Sequence, residues 1–305
     1  MPAHTDIGPW TSHLLSLSDL AGLKRRSSKL ARQRQLIYLD GDAVRVIELL
    51  LRPRVITEPQ RAYIHRVAAA VARVQANAAA AWLHDARVRQ VLPLEPGEEE
   101  LFTELAQAPL GFAAPVVCRL DASLAAGRAS WKRDFRLFEL NAVGIGGLSL
   151  VPIAESVVRD VSLPLLRGVG PTARAGPDQR QTLLAALRAH GRSLGISAPK
   201  VALVEDRSEP GGTQELDDLA RVFTRGGLSA RAGEVRELEL RGEQLFFLGR
   251  PVDLVYRDIE ATDLFLLRGM ARARAALRWG FTHGRVVSSI VGDLDHKSLW
   301  EILTD

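Results

Sequence analysis

From Gln179 onward the chain alternates helix, strand, helix, strand, and this alternation narrows the possible folds more than any other feature. Gln179–Leu194 places apolar residues at helical spacing, and Lys200–Val204 is a short β-favouring run. Thr213–Arg225 is helical again, the Gly226-Gly227 pair stops it, and Ser229–Glu234 reads as a second strand. Strands joined through a helix pair in parallel, because the crossover returns the chain to the same end of the sheet. The fold class predicted is α/β. Beyond this unit, Glu239–Arg241 and Gln244–Phe247 flank Gly242-Glu243 as a hairpin. Val252–Tyr256 is an apolar strand ending in Arg257-Asp258, Thr262–Gly280 is helical, Val286–Ile290 is a strand and His296–Leu303 a final helix.

The first part reads differently. Asp42–Leu51 and Glu58–Arg87 carry apolar residues at helical spacing, with Thr57 a capped start for the second. Val67–Ala81 is so rich in alanine that its helix must approach a neighbour closely. Pro93, Pro96 and Gly97 interrupt the pattern before a short helix at Glu98–Gln107. At Pro109 the character changes to strands, Val116–Leu120 and Arg136–Leu140, around the turn Ala125–Arg128. A glycine loop, Gly144–Gly147, and a helix, Leu150–Val158, follow, and Gly168–Pro177 reads as a linker. Three parts result: a helical region over 1–108, a strand, glycine-loop and helix unit over 109–172, and a βαβ-type unit over 173–305.

Several function classes are excluded or disfavoured at this level. No stretch approaches the roughly 18–20 uninterrupted apolar residues of a membrane helix. Met1–Pro9 lacks the basic and apolar segments of a secretory leader. Cys118 is the one cysteine, so neither an intramolecular disulfide nor a cysteine zinc site can form, and a cytoplasmic, reducing compartment is expected. Net charge is +4 over 305 residues, and Lys24-Arg25-Arg26, with Lys29 and Arg32 nearby, is the one tight basic cluster. No aromatic stacking module accompanies it, so no nucleic-acid partner is expected. Paired-histidine metal spacing, a dinucleotide fingerprint and a Walker A loop are all missing from the sequence.

The chemistry concentrates around Phe138-Glu139-Leu140-Asn141. Strand alternation sends Phe138 and Leu140 to one face and Glu139 and Asn141 to the other. A carboxylate and an amide carbonyl are hard oxygen donors of the type Mg²⁺ takes, and the same pair also suits an exposed strand edge. The loop Gly144-Ile145-Gly146-Gly147 could let backbone N–H groups approach an anion at the start of the next helix, or be a plain turn. Arg119 and Asp121 share a strand face. Arg119 could bind a substrate carboxylate and Asp121 an ammonium, or the two could form a structural ion pair. Arg257 closes a strand at the sheet's rim, and Lys297 is placed to meet a phosphate or to begin a solvated helix.

In this order, an Arg-x-Asp strand, a turn, Phe-Glu-Leu-Asn, a glycine loop and a helix resemble the substrate-binding half of circularly permuted ATP-grasp ligases. That group includes eukaryotic-type glutathione synthetase and glutathionylspermidine synthetase. The resemblance spans about 109–305 and takes in the later βαβ unit, the hairpin, Val252–Arg257 and the closing KSLWEILTD. It implies a pre-ATP-grasp, Rossmann-like arrangement with parallel and mixed sheets and flanking helices. By the same token it implies an ATP- and Mg²⁺-dependent ligase that activates a carboxylate as an acyl phosphate and couples it to an amine or short peptide. Glu139 and Asn141 would hold Mg²⁺. Arg119, Asp121 and the Gly144–Gly147 loop would contact substrate, Arg257 would serve catalysis and Lys297 would bind nucleotide. A homodimer is compatible. Ala142-Val143-Gly144 stands where the family carries a polar, Ser- or Thr-containing segment, which leaves the substrate open. The resemblance would put the ATP-grasp module after Asp305, so little or no turnover is expected of this chain alone. The alternative is a non-catalytic binding or scaffold protein that keeps the fold.

Overall fold

The computed structural model describes residues 6–169, 172–209 and 211–304. The chain opens with helices α1 (Gly8–Ser16) and α2 (Leu20–Gln33), a hairpin of β1 (Ile37–Asp40) and β2 (Ala43–Val46), then α3 (Glu58–Trp82), α4 (Ala86–Val91) and α5 (Pro96–Gln107). The hairpin corrects the helix expected over Asp42–Leu51. Asp40 pairs with Ala43 across a two-residue turn, and Gly41 takes φ +58°, the left-handed backbone that such turns favour. Thr57 caps α3 as expected, through a reciprocal box with Gln60. The long helix ends at Trp82 and restarts as α4, because Asp85 accepts from Arg87 and Val88 N–H groups and caps a new start.

Next come β3 (Arg119–Ser123), α6 (Trp131–Asp134), β4 (Arg136–Asn141), α7 (Leu150–Val161), α8 (Gln179–Ser193), β5 (Val201–Glu205), α9 (Glu215–Arg225) and β6 (Ala230–Glu234). An antiparallel meander follows, β7 (Leu238–Arg241), β8 (Gln244–Phe247) and β9 (Arg250–Val252). The chain then runs through β10 (Leu254–Asp258), α10 (Asp263–Leu266), α11 (Ala271–Thr282), β11 (Val286–Val287) and α12 (Leu299–Thr304). One helix was expected over Thr262–Gly280. It is two, since Gly269 at φ +77° turns the chain between them. The strand expected over Val286–Ile290 stops at Val287 and gives way to a 3₁₀ turn, Ile290–Asp293. Within the linker read at Gly168–Pro177, Gly170 and Pro171 lie outside the described residues, as do Met1–Thr5 and Asp305.

The α/β class holds. A four-stranded parallel sheet, ordered β11-β10-β5-β6, is the centre. Its inner strands β5 and β10 carry buried apolar residues on both faces, as parallel strands covered by helices require. Ala202, Val204, Val255 and Val286 face a large core shared with α3, α4, α5, the meander and α11. The alternate residues Val201, Leu203, Leu254, Tyr256 and Val287 face α8 and α9. Trp82, Leu101, Phe102 and Leu105 of the N-terminal helices belong to the first of these cores, so helices before 108 cover the sheet formed after 200. A smaller core joins Ala31 and Leu36 to Ile153, Val157 and Val161 of α7.

Candidate functional site

β3 and β4 form a separate two-stranded antiparallel ribbon. Glu139 and Asn141 therefore do not end a strand of the parallel sheet, and the strand-end argument passes to other residues. The ribbon's register brings the expected residues together: Arg119 lies opposite Asn141 and Asp121 opposite Glu139. One expectation fails within it. Phe138 is 58 % exposed instead of facing the core, whereas Leu140 is buried. The register slips between Asp121 and Ala122, leaving Phe138 as the extra residue of a bulge that rotates it outward.

Arg119 grips Asp121 through Nε (2.8 Å) and Nη2 (3.1 Å) and donates from Nη1 to the Gly146 carbonyl (2.8 Å). A guanidinium has five N–H bonds, so two of Arg119's remain for a ligand on this half-exposed face. Glu139 is 3.7 Å from Lys297 Nζ, a partly solvated pair. Asn141 Nδ2 is buried with no hydrogen-bond partner.

The glycine loop links this ribbon to the sheet. Gly144 takes φ +64° and Gly147 φ +99°, conformations that side chains resist. A Cβ on Gly144 would also stand 3.1 Å from Asp258 Oδ1. The loop's anion cradle is already filled: Glu215, at the start of α9, accepts from Gly147 N (2.9 Å) and Ser149 N (2.5 Å) and so caps α7 from another helix. Ser149 Oγ bonds to Asp218, and Asp295 accepts from Ala142 N at 2.7 Å. Ile145 is buried beneath the loop.

At the C-terminal rim of the parallel sheet, Glu205, Asp258 and Glu234 lie in one row across β5, β10 and β6. Arg207 holds Glu205, and Arg236 holds Glu234 at 2.7 Å. Asp258 is different. Among the described residues it has no hydrogen bond or ion pair. Burial first, then the charges of Glu205 and Glu215, push its pKa up to about 6. Sequence reasoning marks Arg257 at this strand end and not Asp258. Its signal was position, the last residue of a buried apolar strand.

Arg257, expected to act in catalysis, is instead enclosed: it is 1 % exposed. It is bound to Ser288 O (2.9 Å), Ile259 O (2.9 Å), Ser289 O (3.0 Å) and both carboxylate oxygens of Asp293 (3.1 and 2.5 Å). These bonds occupy its whole fork, so it fixes the rim behind Asp258 and has no N–H bond left for a ligand. Ser288 also ties the ribbon to the sheet, accepting from Val117 N at 2.8 Å.

These features define an α/β protein in which acidic and basic side chains gather where a glycine loop meets a sheet rim. No family model matches the sequence, and no curated protein matches it. Among solved structures it is similar to the apo form of a glutathione synthetase-like effector from Globodera pallida. The TM-score is 0.66 at 13 % identity, over 95 % of this chain and 67 % of that one. The likeness is one of fold. No helix among the described residues is long and apolar enough to cross a membrane.

Proposed function

We propose that this chain is the substrate-binding portion of an ATP-dependent carboxylate–amine ligase. The observation that carries the reading is that Arg119 and Asp258 both meet the Gly144–Gly147 loop, the first at Gly146 with N–H bonds to spare and the second at Gly144 as a lone carboxyl with a raised pKa. Arg119 binds the carboxylate of an amino acid or short peptide in a forked pair. Asp258 accepts the proton that an attacking amine gives up as its nitrogen bonds to the activated acyl carbon and phosphate departs. A carboxyl titrating near neutrality suits that work. Arg257 positions the Asp258 backbone and touches no substrate.

The donor set fits Mg²⁺ in part. Glu139 and Asn141 offer two hard oxygens, and Mg²⁺ commonly takes one or two protein ligands and completes its shell with water and phosphate. Among the described residues no group of three or more His, Cys, Asp or Glu is arranged to hold a metal. Bound with ATP, the cation would neutralise charge on the phosphoryl oxygens. Lys297 would exchange Glu139 for a phosphate oxygen.

A second reading, a non-catalytic binder, draws support from Glu215, whose carboxylate takes the place of an external anion at the loop. Calorimetry with ATP and MgCl₂, on the parent chain and on Glu139→Ala and Lys297→Ala, separates the two. Magnesium-dependent ATP binding lost in both variants supports the ligase. A dipeptide that binds through Arg119 without any ATP binding supports the substrate site alone, which a non-catalytic binder and a substrate portion without its nucleotide module both require. Binding of neither ligand overturns both.

A further inference from the structure

A cleft lies away from the glycine loop, between the first turns of α3 and the segment that precedes β4. It has a volume of about 540 Å³ and is lined by Pro59, Ala62, Arg66, Ala129, Ser130 and Trp131, with Lys132 and Arg133 beside them. Its walls are joined by design of the local sequence. Pro59, Ala62 and Arg66 recur at helical spacing on one face of α3. Gln60, fully buried, donates from Nε2 to Ala126 O at 2.8 Å and so holds the helix against the ribbon's turn. Beneath them Tyr63 stands edge-on to Trp131 (5.3 Å) and to Phe135 (5.7 Å), a rigid aromatic floor.

The charges on this floor are unbalanced. Arg66 lies 5.9 Å from the Tyr63 ring centroid, and Lys132 lies 5.7 Å from Tyr63 and 5.5 Å from Trp131. Such contacts orient a cation without neutralising it. Neither Arg66 nor Lys132 pairs with a carboxylate among the described residues. Of the nearby acids, Glu58 is taken up by Arg61 (2.6 Å), and Asp134 by Ser130 (2.5 Å) and, at 3.6 Å, by Arg133. The contacts of Asp134 hold its carboxyl below the usual range, Ser130 contributing most. Two held, unneutralised cations above an aromatic floor in a concave site form a receptor for negative charge.

We propose that this cleft binds a small polyanion, a phosphate-rich or polycarboxylate molecule, through Arg66 and Lys132 with Arg133 at its mouth. A small ligand is favoured over a nucleic acid because the cations converge on one cleft and do not form a stripe along the surface. None of the residues lining this cleft is Arg119, Asp121, Glu139, Asn141 or a residue of the Gly144–Gly147 loop, so the cleft is separate from the Arg119 site.

The test is calorimetric titration of the full chain with pyrophosphate, and separately with citrate, at low and at moderate salt. One saturable site is expected. Its affinity should fall on the order of tenfold or more in Arg66→Ala and in Lys132→Ala, vanish in the double variant and persist in Arg119→Ala. Whichever probe binds more tightly identifies the phosphate or the carboxylate class. Circular dichroism melting of each variant establishes that it remains folded, and Lys132→Arg, which keeps the charge, should retain binding. Absence of saturable binding by both probes would overturn the proposal. So would undiminished binding in the folded double variant. Tighter binding of a short single-stranded RNA through the same two residues would replace it with a nucleic-acid surface.

Discussion

Replacing Asp258 by Asn should stabilise the protein at neutral pH. The side chain titrates at about 6 in the folded state against an ordinary value of 3.8, raised chiefly by burial and then by Glu205 and Glu215. A folded pKa above the unfolded one means that the folded state holds the proton more tightly. Stability is therefore greatest below about pH 4, declines as pH rises through the window from about 4 to about 6, and stays reduced above it. The separation is about two units at about 1.4 kcal/mol each, so the ionised carboxylate costs at most ~3 kcal/mol at neutral pH. Residual solvent access and the polarity of the replacing amide reduce the gain to roughly 1–2 kcal/mol. Urea unfolding of parent and variant at a series of pH values measures it. The curves should coincide near the acid end and separate through the window, with the variant above. Glu205 also has a raised pKa, so both proteins retain a common decline; the difference between them isolates Asp258. A variant equal to or less stable than the parent at neutral pH would refute the argument that Asp258 is an unrelieved buried carboxyl.

Arg257→Met should lower stability by about 3–5 kcal/mol, since it strands the Asp293 carboxylate in the interior; denaturant unfolding reports it, and a loss below ~1 kcal/mol would contradict the structural role. Glu215→Ala removes the trans-cap on Gly147 and Ser149 and should cost roughly 1–3 kcal/mol, while pyrophosphate affinity at the vacated loop rises; a calorimetric trace unchanged from the parent argues against a cradle there. Gly144→Ala should cost about 1–2 kcal/mol from its left-handed backbone alone, with more from the Asp258 contact, read as a fall in thermal midpoint. Arg119→Lys should reduce affinity for a peptide carboxylate by on the order of tenfold with no change in melting, because a point charge replaces a fork.

Much of the sheet was legible from the pattern. Val201–Val204 and Leu254–Tyr256 are continuous apolar runs bounded on both sides by charged residues, which is the pattern of strands covered on both faces. The α3 cap was legible too, because Thr57 and Gln60 act on each other within one turn. The strand Ala43–Val46 lies inside the helix expected over Asp42–Leu51, since a four-residue strand fits either period until the turn closes it against Ile37–Asp40. Phe138 was misassigned because one bulge reverses the alternation on which the inference rested.

For the site, the sequence by itself determined which residues share a strand face: Arg119 with Asp121, and Glu139 with Asn141. It also placed the glycines where the backbone needs left-handed angles. Such relations span a few residues and follow from backbone geometry alone. Tertiary structure decided the rest. It set β3 against β4 as a ribbon outside the parallel sheet and brought Glu215 from α9 into the loop it caps. It enclosed Arg257 against Asp293 and left Asp258 without a partner. Charge neutralisation depends on distances between segments far apart in the chain, so whether a given Arg or Asp is spent or free emerges only when those segments pack together.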